Sequence, residues 1–146
     1  MRQHKSVASN ATQALMDSIS KFESDFIDKK TKSKELNKMG NKLFLTKKYL
    51  DAEKFYSQAI ELNPGSRPLW TNRAECRITM KKYEEAISDC NTALSIDPKC
   101  TRSIIQKGNA LLALSLFVEA KECYELLPSF GKDSSSYLKK LYDAQD

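Results

Sequence analysis

The chain repeats itself every 34 residues. Sliding it by that interval aligns Leu36 with Trp70 and Ile104, Gly40 with Ala74 and Gly108, and Tyr49 with Tyr83 and Phe117. Ala52, Ala86 and Ala120 are identical, Asp51, Glu85 and Glu119 are all acidic, and Pro64 recurs as Pro98. Tyr56, Cys90 and Tyr124 form a further column, followed by Ala59, Ala93 and Leu127. Three copies run without an insertion over residues 33–66, 67–100 and 101–134. A period of this length marks a stack of small units, each burying its apolar face only against its neighbours.

Each copy holds two stretches of apolar residues at helical spacing: 33–46 and 49–62, 67–80 and 83–96, 101–114 and 117–127. The small residues at 40, 74 and 108 fall midway along the first helix, and those at 52, 86 and 120 early in the second. Small residues at such crossings let two antiparallel helix backbones approach closely. The larger residues at 36, 70 and 104 and at 56, 90 and 124 are expected to fill the space between neighbouring pairs. Pro64 and Pro98 end second helices, Pro68 suits a first turn, and Leu127-Pro128 cuts the last second helix short. The fold class is all-α.

The flanks follow from what a stack needs. Residues 135–146 read as a capping helix, started by Asp133 or Ser134 and carrying Tyr137, Leu138, Leu141 and Tyr142 on one side. Residues 1–32 form an N-terminal extension. Its first ten residues are polar and expected to be disordered. From about 12 to 30, Leu15, Ile19, Phe22 and Phe26 recur at helical spacing, with Met16 and Ile27 alongside, giving an amphipathic helix. It is expected to pack on the first repeat; joining a second copy or another protein, or remaining loosely ordered, are the alternatives.

Composition removes other classes. No apolar run reaches the ~20 residues that span a bilayer, and no apolar segment follows the charged start as a signal peptide requires. The polar face of the N-terminal helix mixes Lys21 and Lys29 with Asp17, Glu23, Asp25 and Asp28, which argues against a membrane surface. The net charge of +5 is spread along the chain, with no basic tract interleaved with aromatics, so nucleic acid is not expected. Cys76, Cys90, Cys100 and Cys123 form no C-x-x-C pair and the single histidine is His4, so no metal site is expected. The cysteines read as reduced and mostly packed as small apolar residues. With no Cys/His pair or phosphate loop, neither an enzyme nor a cofactor is indicated.

The pattern Leu36-x-x-Met39-Gly40, Ala52-x-x-x-Tyr56, Ala59 and Pro64 resembles the tetratricopeptide repeat. That resemblance implies a right-handed superhelix of helix–turn–helix units whose first helices line a concave groove. On helical spacing Asn37 and Asn41 share a face of one first helix, Asn72 lies on the next, and Arg102 and Gln106 share a face of the third. Five cationic or amide donors converging there suit an acceptor-rich ligand such as a peptide carboxylate.

Tetratricopeptide co-chaperones bind the acidic C-termini of heat-shock protein 70 and heat-shock protein 90 through a five-residue carboxylate clamp, and these positions resemble it. Asn41 and Asn72 match, and Arg102 preserves charge. Asn37 stands for the clamp's first lysine, and Gln106 for its last arginine. A charge-assisted hydrogen bond contributes roughly 1.5–3 kcal/mol, so the two exchanges together weaken carboxylate binding by roughly 2–4 kcal/mol, or about 30- to 1000-fold. Glu75 is expected to face the groove and repel acidic ligands, while Lys34, Lys38 and Lys107 restore positive potential. The alternative use of Asn41 and Asn72 is to satisfy backbone groups, and of Arg102 to be a solvated helix start.

The resemblance implies a non-enzymatic, cytoplasmic chaperone adaptor holding an extended peptide. The alternative is a scaffold of the same fold with a different partner. The runs Leu69–Ala74, Tyr83–Cys90 and Asp97–Thr101 resemble a subgroup associated with assembly of ciliary dynein arms.

Overall fold

The computed structural model describes the backbone over residues 2–146 and side chains from residue 9 onward. Seven α-helices follow one another: α1 (Arg2–Leu45), α2 (Tyr49–Leu62), α3 (Arg67–Thr79), α4 (Tyr83–Ile96), α5 (Thr101–Ala113), α6 (Phe117–Leu126) and α7 (Ser135–Gln145). A short 3-10 helix, Leu127–Phe130, follows α6. Each helix packs on the next, and α1, α3 and α5 also touch along one side of the stack. Among the described residues all regular structure is helical, and no helix is long and apolar enough to cross a membrane.

The turns inside the three pairs are alike because the same hydrogen bonds close them. Lys47, Lys81 and Ser115, again 34 apart, take left-handed backbone with φ of 64°, 63° and 60°. The next amide in each case, of Lys48, Lys82 and Leu116, reaches back to the carbonyls of Leu43, Arg77 and Leu111 at 2.8–2.9 Å. That is the Schellman closure of a helix end. The repeated acidic column then falls in the first turn of α2, α4 and α6, where negative charge meets the positive end of the helix dipole.

Inside each pair the packing is set by volume exchange. Tyr56 and Tyr124 lie against Gly40 and Gly108 of their own pairs, while in the second repeat the same two columns hold Ala74 and the smaller Cys90, both buried. The residues of this column fill the gap that the glycine leaves within a pair and also reach the next element, as expected: Tyr56 shares a core with Cys76 and Met80, Cys90 donates to Gln106, and Tyr124 stacks on Tyr137. The column of Leu36, Trp70 and Ile104 also lies between elements: Leu36 and Trp70 pack on Ala59, Ile60 and Leu69, and Ile104 enters the core formed with α6 and α7.

An ion network ties α2, α3 and α4. Asp89, 2% exposed, accepts from Arg73 at 2.7 and 3.0 Å and from Arg77 at 2.9 Å. Arg77 also binds Glu53 at 2.9 Å, and Lys82 binds the other Glu53 oxygen at 3.0 Å. Arg73 additionally donates to Ser57 and sits over the Trp70 ring, 5.1 Å from its centroid. Burial works to raise the Glu53 pKa, but the hydrogen bonds and charges of Arg77 and Lys82 outweigh it and hold the carboxyl below its usual range.

The C-terminal end is covered by α7. Leu141 is fully buried, Tyr137 and Leu138 pack on the α5–α6 core, and the Tyr137 ring stacks on Tyr124 at 5.4 Å. Tyr142 stays half exposed. The Asp133 carboxylate accepts from the amide and hydroxyl of Ser135 and so holds the start of α7. The Ser134 side chain makes no cap bond.

The N-terminal end differs from expectation. The amphipathic helix does not fold back onto the first repeat; it is continuous with the first helix of that repeat, and residues 9–32 are exposed all round. No glycine or proline falls before Gly40, so nothing breaks the helix where a return turn would be needed. The disorder expected of residues 1–10 falls, for residues 1–8, outside the range of fully described residues; residues 9 and 10 are helical.

Candidate peptide-binding groove

Asn37 and Asn41 lie on α1, Asn72 on α3 and Arg102 on α5, and hydrogen bonds link three of them across the stack. The Arg102 guanidinium donates from Nη1 to Asn72 Oδ1 at 3.1 Å, and Asn72 Nδ2 donates to Asn37 Oδ1 at 2.9 Å. Asn41 accepts the Tyr56 hydroxyl proton on Oδ1 at 2.7 Å. Bonded through its oxygen, the Asn41 amide keeps its two N–H donors for other partners. Asn41, Asn72 and Arg102 then line a cavity of about 70 Å³ together with Phe44, Tyr56 and Glu75. One water needs roughly 10–15 Å³ of such space, so the cavity admits a small group of several heavy atoms such as a carboxylate.

Asn41 and Asn72 bond side chains, so the use as backbone partners is not what these contacts show. Arg102 is exposed, with one of its five N–H donors engaged on Asn72. Gln106 is placed differently from the rest. It is 3% exposed, and its Nε2 donates to the Thr71 carbonyl at 3.1 Å and to Glu75 Oε2 at 3.0 Å. Both contacts are acceptors already met, so Gln106 holds Glu75 in place and does not line the cavity. Lys107 also lies apart, lining a separate cavity with Leu111, Glu119 and Cys123. Lys34 and Lys38 are exposed on α1 near the two asparagines in sequence.

Glu75 lines the cavity as the spacing suggests, and brings a negative charge opposite Arg102. Phe44 and Tyr56 are cavity residues that the donor pattern does not reveal. Phe44 follows Asn41 by three positions on the same helix, and Tyr56 is signalled by its column partner: Asn109 and Tyr124 repeat the same hydrogen bond at 2.7 Å. Burial pushes the Tyr56 phenol up to about 12, with Cys76 adding to the rise, so it stays a proton donor to Asn41.

All four cysteines are free and buried. Cys76 donates to the Tyr49 carbonyl, and Cys100 accepts from Arg67 and Ser103. Burial, followed by the charge of neighbouring Asp89, pushes the Cys90 thiol up to about 12. Burial thus holds Cys90 as the thiol, the form that is neither nucleophile nor metal ligand.

Stacked antiparallel helix pairs of 34 residues, closed by the same turn and capped at the C-terminal end, define a helical-repeat domain, and the chain belongs to the tetratricopeptide repeat family. The family model for the tetratricopeptide repeat matches residues 68–100. Tetratricopeptide repeat protein 12 of Homo sapiens is 34% identical over 110 residues, covering 73% of this chain and 16% of the relative. The Mus musculus protein of the same name is 32% identical over 105 residues, covering 72% of this chain and 15% of the relative. The chain thus spans about a sixth of the length of these two curated relatives. Among solved structures, the first repeat domain of Spaghetti (RPAP3) bound to the HSP90 peptide SRMEEVD is 32% identical. Its TM-score is 0.75, and the match covers 80% of this chain and 94% of that one. The TPR2B domain of yeast Sti1 in its pHsp70 complex is 26% identical, with a TM-score of 0.69 and coverage of 78% and 95%.

Proposed function

We propose that this chain is a non-enzymatic, cytoplasmic interaction adaptor whose groove takes the acidic C-terminal peptide of heat-shock protein 70 or heat-shock protein 90. The observation that carries the reading is the cavity lined by Asn41, Asn72 and Arg102 across three successive first helices. Arg102 supplies the cationic donors, Asn41 supplies an amide oriented by Tyr56, and Asn37 and Asn72 complete a relay that a carboxylate could enter. Gln106, standing at the position of the clamp's last arginine, acts through Glu75 and contributes no donor of its own. The clamp is therefore reduced, and its affinity is expected to be lower than that of a full clamp. Two related domains, one at 32% identity bound to an HSP90 peptide and one at 26% in a pHsp70 complex, support the same class of ligand.

The test is a titration with an acidic chaperone C-terminal peptide carrying a free or an amidated terminus. Binding should fall at least tenfold on amidation, and the double variant Asn72→Ala with Arg102→Ala should abolish it. No binding by the unaltered chain at millimolar peptide sinks the clamp and leaves a scaffold for another partner. Equal binding of the two peptides would place recognition on internal side chains instead.

A further inference from the structure

The free part of α1 exposes six large apolar side chains: Leu15, Met16, Ile19, Phe22, Phe26 and Ile27, each 49–72% accessible. Their position on the helix is informative. Eighteen residues make five turns of an α-helix, so Leu15 lies in line with Ser33, Ile19 with Asn37, Phe22 with Gly40 and Phe26 with Phe44. Ser33, Gly40 and Phe44 are where α2 packs. The Ser33 hydroxyl donates to the Ala59 carbonyl at 2.8 Å, Gly40 meets the Tyr56 ring, and Phe44 meets the Tyr49 ring edge-on at 5.3 Å. The exposed stripe thus continues, without rotation, the face of α1 that α2 covers. The cover ends with α2, and the stripe does not.

The geometry points to a second copy of this chain as the occupant, with the two free helices paired antiparallel. The 4-3-4 spacing of Leu15, Ile19, Phe22 and Phe26 is that of a two-helix seam with interlocking side chains, and no charge falls within it. Direction follows from the body. A second α1 laid parallel and in register on this line would carry its residues 33–45 into the volume that α2 fills. Laid antiparallel, Leu15 meets the partner's Phe26 and Ile19 meets the partner's Phe22, the two repeat stacks lie at opposite ends of the pair, and only residues 2–8 of each helix reach the stretch that the other's α2 covers. Charge selects the same direction. In a parallel pair Lys29, Lys30 and Lys32 would face their own copies; in the antiparallel pair they fall beside the uncharged residues 9–12.

The eight seam side chains of the pair, at roughly 100–150 Å² apiece, would remove about 800–1,200 Å² from water, which reaches the lower bound for a specific interface. A lipid surface fits less well, because residues 9–32 carry four lysines and four acidic residues and no net charge.

Sedimentation equilibrium over a concentration series tests this. The unaltered chain should move from 16.6 kDa to twice that mass, and Phe22→Glu with Phe26→Glu should stay monomeric at every concentration. Because both phenylalanines are exposed in the single chain, the variant should keep its helical circular dichroism and the melting temperature of the unaltered chain when dilute. A nitroxide on a cysteine placed at the exposed Gln13 reports direction: fifteen residues of axial offset give about 22 Å between labels in the antiparallel pair, against about 10 Å side by side in a parallel one. A chain that stays at 16.6 kDa throughout, a double variant that still doubles in mass, or the short label distance each overturns the proposal. So does a monomeric chain that binds vesicles of mixed phosphatidylcholine and phosphatidylserine.

Discussion

A methyl group on Gly40 would lie 2.6 Å from Cε1 and 2.8 Å from Cδ1 of Tyr56, so the ring of one residue occupies the space that the other leaves empty. The same ring lends its hydroxyl to Asn41 and forms part of the cavity. A packing decision in the first repeat is therefore also a decision about the shape of that cavity.

Gly40→Ala should destabilise the chain by about 1 kcal/mol, and by no more than about 2. Alanine gains roughly 1 kcal/mol in helix propensity, but overpacking a buried site costs about 1–3 kcal/mol, and Tyr56 is only 2% exposed. Adding Tyr56→Cys, which copies the Ala74–Cys90 pair, should give a double variant more stable than the sum of the single losses. Urea unfolding of the four-member cycle reads this coupling, and strict additivity would contradict it.

Asp89→Asn leaves Arg73 and Arg77 facing a neutral partner in a nearly closed site. Breaking such a pair from one side costs about 3–5 kcal/mol. Denaturant midpoints should fall accordingly, whereas a loss within the range of an exposed pair would show that solvent reaches this network.

Glu53 sets a pH dependence. A carboxylate held below its unfolded value contributes stability above that value and loses it as the pH falls through the folded one. The part due to Glu53 is therefore full above pH 4.5 and declines below it. Glu53→Gln should flatten that portion of the acid slope in melting curves, and an unchanged slope would assign the acid response to other carboxylates.

Ser115→Gly should stabilise the turn between α5 and α6, because a side chain in left-handed backbone costs roughly 1–2 kcal/mol that glycine avoids. A rise in melting temperature is expected, and Lys47→Gly and Lys81→Gly should behave alike. A fall in any of the three would mean that the side chain holds a contact outweighing its backbone cost.

Asn37→Lys restores the lysine that the clamp pattern carries. Replacing a neutral donor by a charged one adds roughly 1–2 kcal/mol toward a carboxylate, so affinity for the acidic peptide should rise about 5- to 30-fold. The amidated peptide should gain far less, and an equal gain would point to general electrostatic attraction.

The positions of the helices were legible in the sequence because the information is local and occurs three times. Apolar residues at helical spacing, small residues at crossings and prolines at ends each mark the same boundaries, so Tyr49–Leu62 and Tyr83–Ile96 coincide with the stretches read from spacing. That Asn41, Asn72 and Arg102 would share one side of the stack was legible for the same reason, since the same face of each first helix turns toward one cavity.

Tertiary structure decided what neighbours in space do to those residues. Gln106 has the spacing of a groove donor but is buried, because Thr71 and Glu75 offer it two acceptors across the α3–α5 contact. The Asp89 network joins residues 12 to 36 positions apart, beyond any local pattern. At the N-terminus the sequence determined an amphipathic helix, since its stripe is written in consecutive turns. Whether that helix turned back or ran on was decided by its unbroken junction with the first repeat, which leaves the stripe in line with a face that α2 covers only from Ser33 onward.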